Sequence, residues 1–414
     1  MKPLIKFIVI CFLPVSVFAQ SPVLSLDSII SNINRNNLML QSYELQAESY
    51  KHKADAATAW MAPMAGIGTF MTPYPGEKAM SPAERGSIMV QLEQDIPNPL
   101  KLRARKKYLG SQGDVVAAGR EITLNDLRAQ AKRYYYNWII AKYKIAVLNQ
   151  NEKLMTTMKK VEEVRYPFNQ SQLSGIYQID ARLEDNRNMI RMQEGIVARS
   201  RAVLKSLMNA DASYDFEIDS IVEPHFVPED VTDTAAIAYA RKDIFKMDEN
   251  IRSMQLNIAS MRKEKHPDFR IRFDHMNPLS GVMPKAFSVM GMISIPIAPW
   301  SSKMYRSEIK AMEYNIKGME KERSGMLLET KGMLLGMQAE LQTMHERVLA
   351  MEEKIIPALQ KALDANYILY QENKLGLAVV IDSWEALNMM HMNLLDEKLK
   401  HYEMLVDYEK ELFR

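Results

Sequence analysis

The chain has 414 residues, with 53 Lys and Arg against 51 Asp and Glu, one Cys and 31 Met. A net charge of +2 leaves no basic surplus of the kind that marks a nucleic-acid partner. A lone cysteine leaves no disulfide framework to deduce.

The N-terminus carries Lys2 and Lys6, then the apolar run Phe7 to Leu13, and reaches Val17-Phe18-Ala19 before Gln20. The run is too short to span a bilayer, which takes about 20 apolar residues. Basic start, short apolar run and small-residue exit together read as a secretory signal peptide over residues 1–19. Its removal takes Cys11 and both lysines, leaving basic and acidic residues equal in number. No later window is long and apolar enough for a transmembrane helix. An exported chain of this kind is periplasmic, secreted or inserted as a β-barrel.

In chain order, a helical opening is followed by a strand pair at about 64–73 and 86–96. In the second of these, Ile88, Val90 and Leu92 alternate with Gln91 and Glu93. Leu100 to Tyr166 then contains no proline and is rich in good helix formers. At about 1.5 Å per residue such a stretch makes a rod on the order of 100 Å. A Pro-, Asp- and Ser-containing linker is expected over 210–231, with a short strand near Tyr214–Ile218. A second strand pair follows at about 268–276 and 286–296, where Phe269, Ile271 and Phe273 alternate with Arg270, Arg272 and Asp274. Lys303 to Ile356 is again free of proline. Pro167 and Pro357 are read as bends or reversals near the ends of the long helices, since proline disrupts a helix interior.

Alternation with charges on one face suits a membrane barrel, apolar outside and polar inside. A soluble half-buried sheet alternates in the same way. On the barrel reading, Gln91, Glu93, Arg270, Arg272 and Asp274 face the lumen.

The two strand pairs have matching surroundings. Pro63 and Pro267 precede them, 204 residues apart; Ile96-Pro97 and Ile295-Pro296 end them, 199 apart; Ala181 and Ala386 lie 205 apart. A near-constant offset means internal duplication. The expected organisation is one repeat over 20–209, the linker over 210–231, and a second repeat over 232–414, each a helix, a hairpin and further helices.

No catalytic constellation stands out: the seven histidines are scattered, no Gly-rich phosphate loop follows a strand, and no cofactor is implied. The chain is not expected to be an enzyme. Met389, His391 and Met392 could offer soft ligands to Cu(I) or Ag(I), with Met389 and Met392 three apart on one helix face. Methionine as a flexible packing residue is the competing account.

The opening Leu24-Ser25-Leu26-Asp27-Ser28-Ile29-Ile30 with Asn36-Asn37-Leu38, the paired Ile-Pro exits, and Tyr370…Gly376…Asp382…Glu385-Ala386 resemble the TolC-type outer-membrane efflux proteins. Tyr166…Ser174…Asp180-Ala181 is similar to a first copy of the last motif. The apolar Leu375-Gly376-Leu377 departs from the polar residues usual there.

The resemblance implies a mainly α fold of two helix–β-hairpin–helix repeats. It further implies a homotrimer closing one twelve-stranded barrel in outer-membrane lipid, above a long α-helical periplasmic tunnel. By the same resemblance, Asp382 and Glu385 ring the tunnel entrance and Asp180 matches Glu385. A periplasmic adaptor would meet the tips near 165–180 and 365–385. An inner-membrane pump of the resistance-nodulation-division type would supply energy, with heavy-metal efflux as one branch. An exit duct for type I protein secretion and a pore-free periplasmic coiled-coil scaffold are the alternatives.

Overall fold

In the computed structural model the described residues are 22–414 except 78, 80, 169–171, 222, 223, 225, 229–232 and 282, with the side chains of 82 and 83 also excluded. The expected signal peptide and part of the expected linker lie outside them. In chain order the elements are β1 (Val23–Leu24), α1 (Leu26–Asn36), α2 (Leu38–Ala56), β2 (Met64–Phe70), β3 (Ser87–Ile96), α3 (Pro99–Arg165), α4 (Leu173–Leu207) and β4 (Glu217–Ile218). There follow α5 (Thr234–Ala240), α6 (Lys242–Met261), β5 (Phe269–Pro278), β6 (Ala286–Ile293), α7 (Pro299–Ala350), α8 (Ile356–Gln371) and α9 (Leu377–Glu411). Among the described residues no helix is long and apolar enough to cross a membrane.

Two compact units result: Met1–Ile33 with Tyr134–Glu223, and Asn34–Arg133 with Pro224–Arg414. The first is built on a parallel pairing of β1 with β4, Val23 opposite Glu217 and Leu24 opposite Ile218. Trp138 and Phe216, both fully buried, pack there with ring centres 5.5 Å apart, and the Arg201 guanidinium lies 5.0 Å from the Trp138 ring. The Tyr135 hydroxyl donates to the Asp219 carbonyl at 2.7 Å. Burial, with Asp219 and Asp27 nearby, pushes the Tyr135 phenol up to about 12. Ile29 and Ile33 of α1 are also fully buried.

The second unit holds the four-stranded sheet, in the order β2-β3-β5-β6, every neighbour antiparallel. Its helices pack through a seam on α7. Leu327, Leu334, Leu341 and Val348 are buried at seven-residue steps, the spacing of a coiled-coil contact line. Ile237, Ile244, Leu405 and Tyr408 fill the facing positions of this core. Arg241 fastens α6 to the end of α9, its guanidinium 2.6 Å from both Asp243 and Glu411.

A joint links sheet to helices. Asn98 donates its backbone N–H to Asp268 at 2.9 Å, and Lys101 Nζ lies 2.6 Å from the other oxygen of the same carboxylate. Asp268 in turn donates its backbone N–H to Ser294 Oγ at 2.8 Å. One residue thus ties together the exits of β3 and β6 and the entry of β5. Pro99 and Pro299 each open a helix, where a missing N–H leaves no bond unmade.

Pro357, read as a bend or a reversal, lies at an interruption of the α-helix and not at the reversal. The chain makes a π-helical turn over Met351–Ile355, and Pro357 then enters the first turn of α8. The wider turn removes the clash that a proline imposes on the preceding α-helical turn. The reversal comes later, at Glu372–Gly376, where Asn373 adopts φ 59°. Pro167 does sit at a helix end, in the 3-10 turn Tyr166–Phe168 that closes α3. The first strand is also shorter than expected: β2 stops at Phe70, because Met71 turns to φ 52°.

Candidate functional site

The register sorts the sheet residues onto two faces. On one, Ile67 lies opposite Val90, Ala65 opposite Leu92, and Leu92 opposite Phe273. Phe273 lies opposite Val289, and its ring stacks on Phe287 at 6.1 Å. Ile67, Val90, Leu92, Ile271, Phe273, Phe287 and Val289 are all exposed. A broad exposed apolar face is unusual in a protein surrounded by water and marks a contact with lipid or protein.

The other face is polar and internally paired. Arg270 reaches Glu93 at 2.8 Å and Asp95 at 2.6 Å. Arg272 Nε contacts both oxygens of Asp274, at 2.9 and 3.1 Å. Gln91 donates to Glu93 at 3.2 Å. The five residues singled out from the alternation therefore share one face, and Glu93 and Asp274 are buried within it. Asp95 was missed; its parity with Gln91 and Glu93 was the available signal. The strand methionines fall on this face too. Met64 is opposite Glu93, Met290 opposite Arg272, Met292 opposite Arg270, and Met89 opposite Met276.

The sheet's outer loops are held by Gly86. Its φ is +79°, and a Cβ there would lie 2.5 Å from Thr72 Oγ1 and 2.7 Å from Thr72 Cα. Only glycine fits such a site without strain.

The tip residues fall in different units. In the first unit, Lys159 of α3 donates to Asp180 of α4 at 2.5 Å, and that hydrogen bond holds the Lys159 ammonium above its ordinary pKa. Tyr177 is exposed beside it. In the second unit, Asp382 is exposed and Glu385 half-buried on α9. The α8–α9 turn is fastened by Asn366, which donates to Ser383 Oγ at 2.7 Å, over the buried Tyr370 and Trp384.

Met389 is exposed on α9, while His391 and Met392 are half-buried. Burial lowers the His391 pKa. Among the described residues no three His, Cys, Asp or Glu side chains are placed to hold a metal ion.

No protein-family model matches the sequence, and no curated protein matches it. The fold does match solved structures. The outer-membrane channel OprN superposes with a TM-score of 0.74 at 12% identity, over 94% of this chain and 89% of that one. CusC, a protein that forms a transmembrane channel, gives 0.74 at 14% identity, over 96% and 95%. The Campylobacter jejuni outer-membrane channel CmeC gives 0.72 at 12% identity, over 94% and 85%. The chain therefore has the fold of the TolC-type outer-membrane channels, and these matched structures are channels rather than enzymes.

Proposed function

We propose that this protein is the outer-membrane duct of a tripartite efflux system, a passive channel fed by an inner-membrane pump through a periplasmic adaptor. The observation that carries the reading is the open, two-faced sheet. Strands β2 and β6 each have a neighbour on one side only, among the described residues. An apolar face suits lipid, but bilayers exclude unpaired strand edges. Three copies joined edge to edge would close twelve strands, with the apolar face outward and the Glu93–Arg270–Asp274 face lining the lumen. A strand of 10 residues such as β5 is long enough to cross when tilted. The helices would then form the periplasmic tunnel, with Asp382 and Glu385 at its entrance.

Planar-bilayer recording with purified protein tests this. Discrete conductance steps are expected, together with a trimer on chemical cross-linking. A protein that stays in the soluble periplasmic fraction and never conducts would be a scaffold instead.

One observation favours a soft metal ion as the cargo. Met64, Met89, Met276, Met290 and Met292 all lie on the polar face of the sheet. Thioethers bind Cu(I) and Ag(I), and in the closed barrel these would line the path. Deletion of the gene should then sensitise cells to Cu and Ag salts. Sensitivity to drugs and bile salts alone would point to an organic cargo.

A further inference from the structure

We propose that the helices starting directly beneath the sheet carry a basic collar that binds anionic phospholipid headgroups of the adjoining membrane leaflet. The inference rests on the channel reading above. Residues 97–108 contain five basic and no acidic side chains, and residues 294–310 three basic and one acidic. The surplus in these two short segments exceeds the +2 of the whole chain.

The placement runs against helix electrostatics. A helix N-terminus carries partial positive charge and favours acids. Yet neither α3 nor α7 has an acid in its first turn, and both load their opening turns with Lys and Arg.

The geometry on α7 is a stripe. Lys303, Arg306 and Lys310 are three and four residues apart, which places them on one face. All three are exposed. On α3, Arg103 and Lys107 share a face by the same rule and are also exposed. Among the described residues, none of these five is in an ion pair, whereas Lys101 and Lys106 are held by Asp268 and Asp55.

The neighbouring apolar residues indicate lipid rather than a soluble anion. Trp300, one turn before Lys303, is 83% exposed; Ile295 and Ile297 are 67% and 65% exposed; Trp60, just ahead of β2, is 57% exposed. Tryptophan prefers the level of the headgroups. Lys and Arg just below it can lay their stems along apolar surface and hold their charges at the phosphates.

The test uses the full-length assembled protein. It is reconstituted into phosphatidylcholine membranes containing phosphatidylglycerol, extracted, and assayed for retained lipid by native mass spectrometry. Each basic residue near an anionic surface contributes about a fivefold preference. Wild type should therefore retain phosphatidylglycerol over phosphatidylcholine by more than about tenfold. The variant Lys303→Gln/Arg306→Gln/Lys310→Gln should lose most of that preference. Lys303→Arg/Arg306→Lys/Lys310→Arg should keep it, which separates charge from folding. High salt should weaken retention, and inorganic phosphate should not compete. Equal retention of the two lipids by a wild-type protein that conducts would overturn the lipid proposal and leave the channel reading standing. Retention unchanged in the glutamine variant, or displacement by inorganic phosphate, would also overturn it. A protein that conducts in no lipid would overturn the channel reading, and the collar proposal with it.

Discussion

Asp95 on β3 and Arg270 on β5 meet across the line where the two hairpins join, their charged atoms 2.6 Å apart. Arg270 also holds Glu93. Replacing Arg270 by Gln would leave two acids facing the proposed lumen without their shared cation. The expected result is a stronger cation preference, read as a reversal potential shifted toward the potassium potential in a steep KCl gradient. An unchanged reversal potential would mean that this face does not line the conducting path.

Gly86 gives a prediction about the loops. Gly86→Ala forces a Cβ onto the Thr72 backbone and a strained φ, a cost on the order of 1–3 kcal/mol. A fall in the denaturant midpoint is expected. Gly68→Ala, with nothing within 4 Å of its added Cβ, is the control and should change the midpoint far less.

The α7 seam predicts a contrast between neighbours. Leu334 is fully buried, and Leu334→Ala should cost about 2–5 kcal/mol of stability. Leu328 is 68% exposed on the same helix. Leu328→Ala should leave the isolated chain nearly as stable, within about 0.5 kcal/mol. Thermal melts of the two variants side by side decide the matter.

His401 makes stability depend on pH. Burial, reinforced by His345, lowers its pKa, so the folded chain keeps it neutral where the unfolded chain would be protonated. Above about pH 6.5, the ordinary histidine value, it has no effect. As pH falls below that value, the unfolded state gains a proton that the folded state refuses, and stability drops by at most about 1.4 kcal/mol per pH unit. The loss stops once pH passes the lowered folded-state value. His401→Gln should flatten this part of the profile in denaturant titrations. A profile identical to wild type would show that His401 is not the group responsible.

The tips give an asymmetric prediction. Lys159 already compensates Asp180, so Asp180→Asn should change cation block little. Asp382→Asn with Glu385→Gln should change it clearly. Equal effects from the two repeats would remove the special role of the second tip.

What the chain spelled out locally could be read, and what depends on distant partners could not. The alternation of Phe269 to Asp274 is a property of consecutive residues, and β5 covers it. The placement of Arg270 against Asp95 needs the register of two strands far apart in sequence, which alternation alone leaves open. The pairing of Val23 with Glu217 is likewise invisible before folding. Pro357 left a bend and a reversal both open. Proline signals that an α-helix cannot continue unchanged, but a π turn satisfies the constraint as well as a reversal does. The true reversal was marked more quietly, by Asn373 and Gly376. Asp180 looked like Glu385 in sequence, and its pairing with Lys159 could not be read there.

The unfinished sheet has a genetic consequence. All seven residues of β2 are exposed, and its outer edge has no strand beside it among the described residues. If closure takes three copies, a variant that folds but has a spoiled edge would enter mixed assemblies and disable them. With equal expression, only about one assembly in eight would contain wild-type chains alone. Such alleles should behave as dominant, and their severity should rise with the dose of the defective gene.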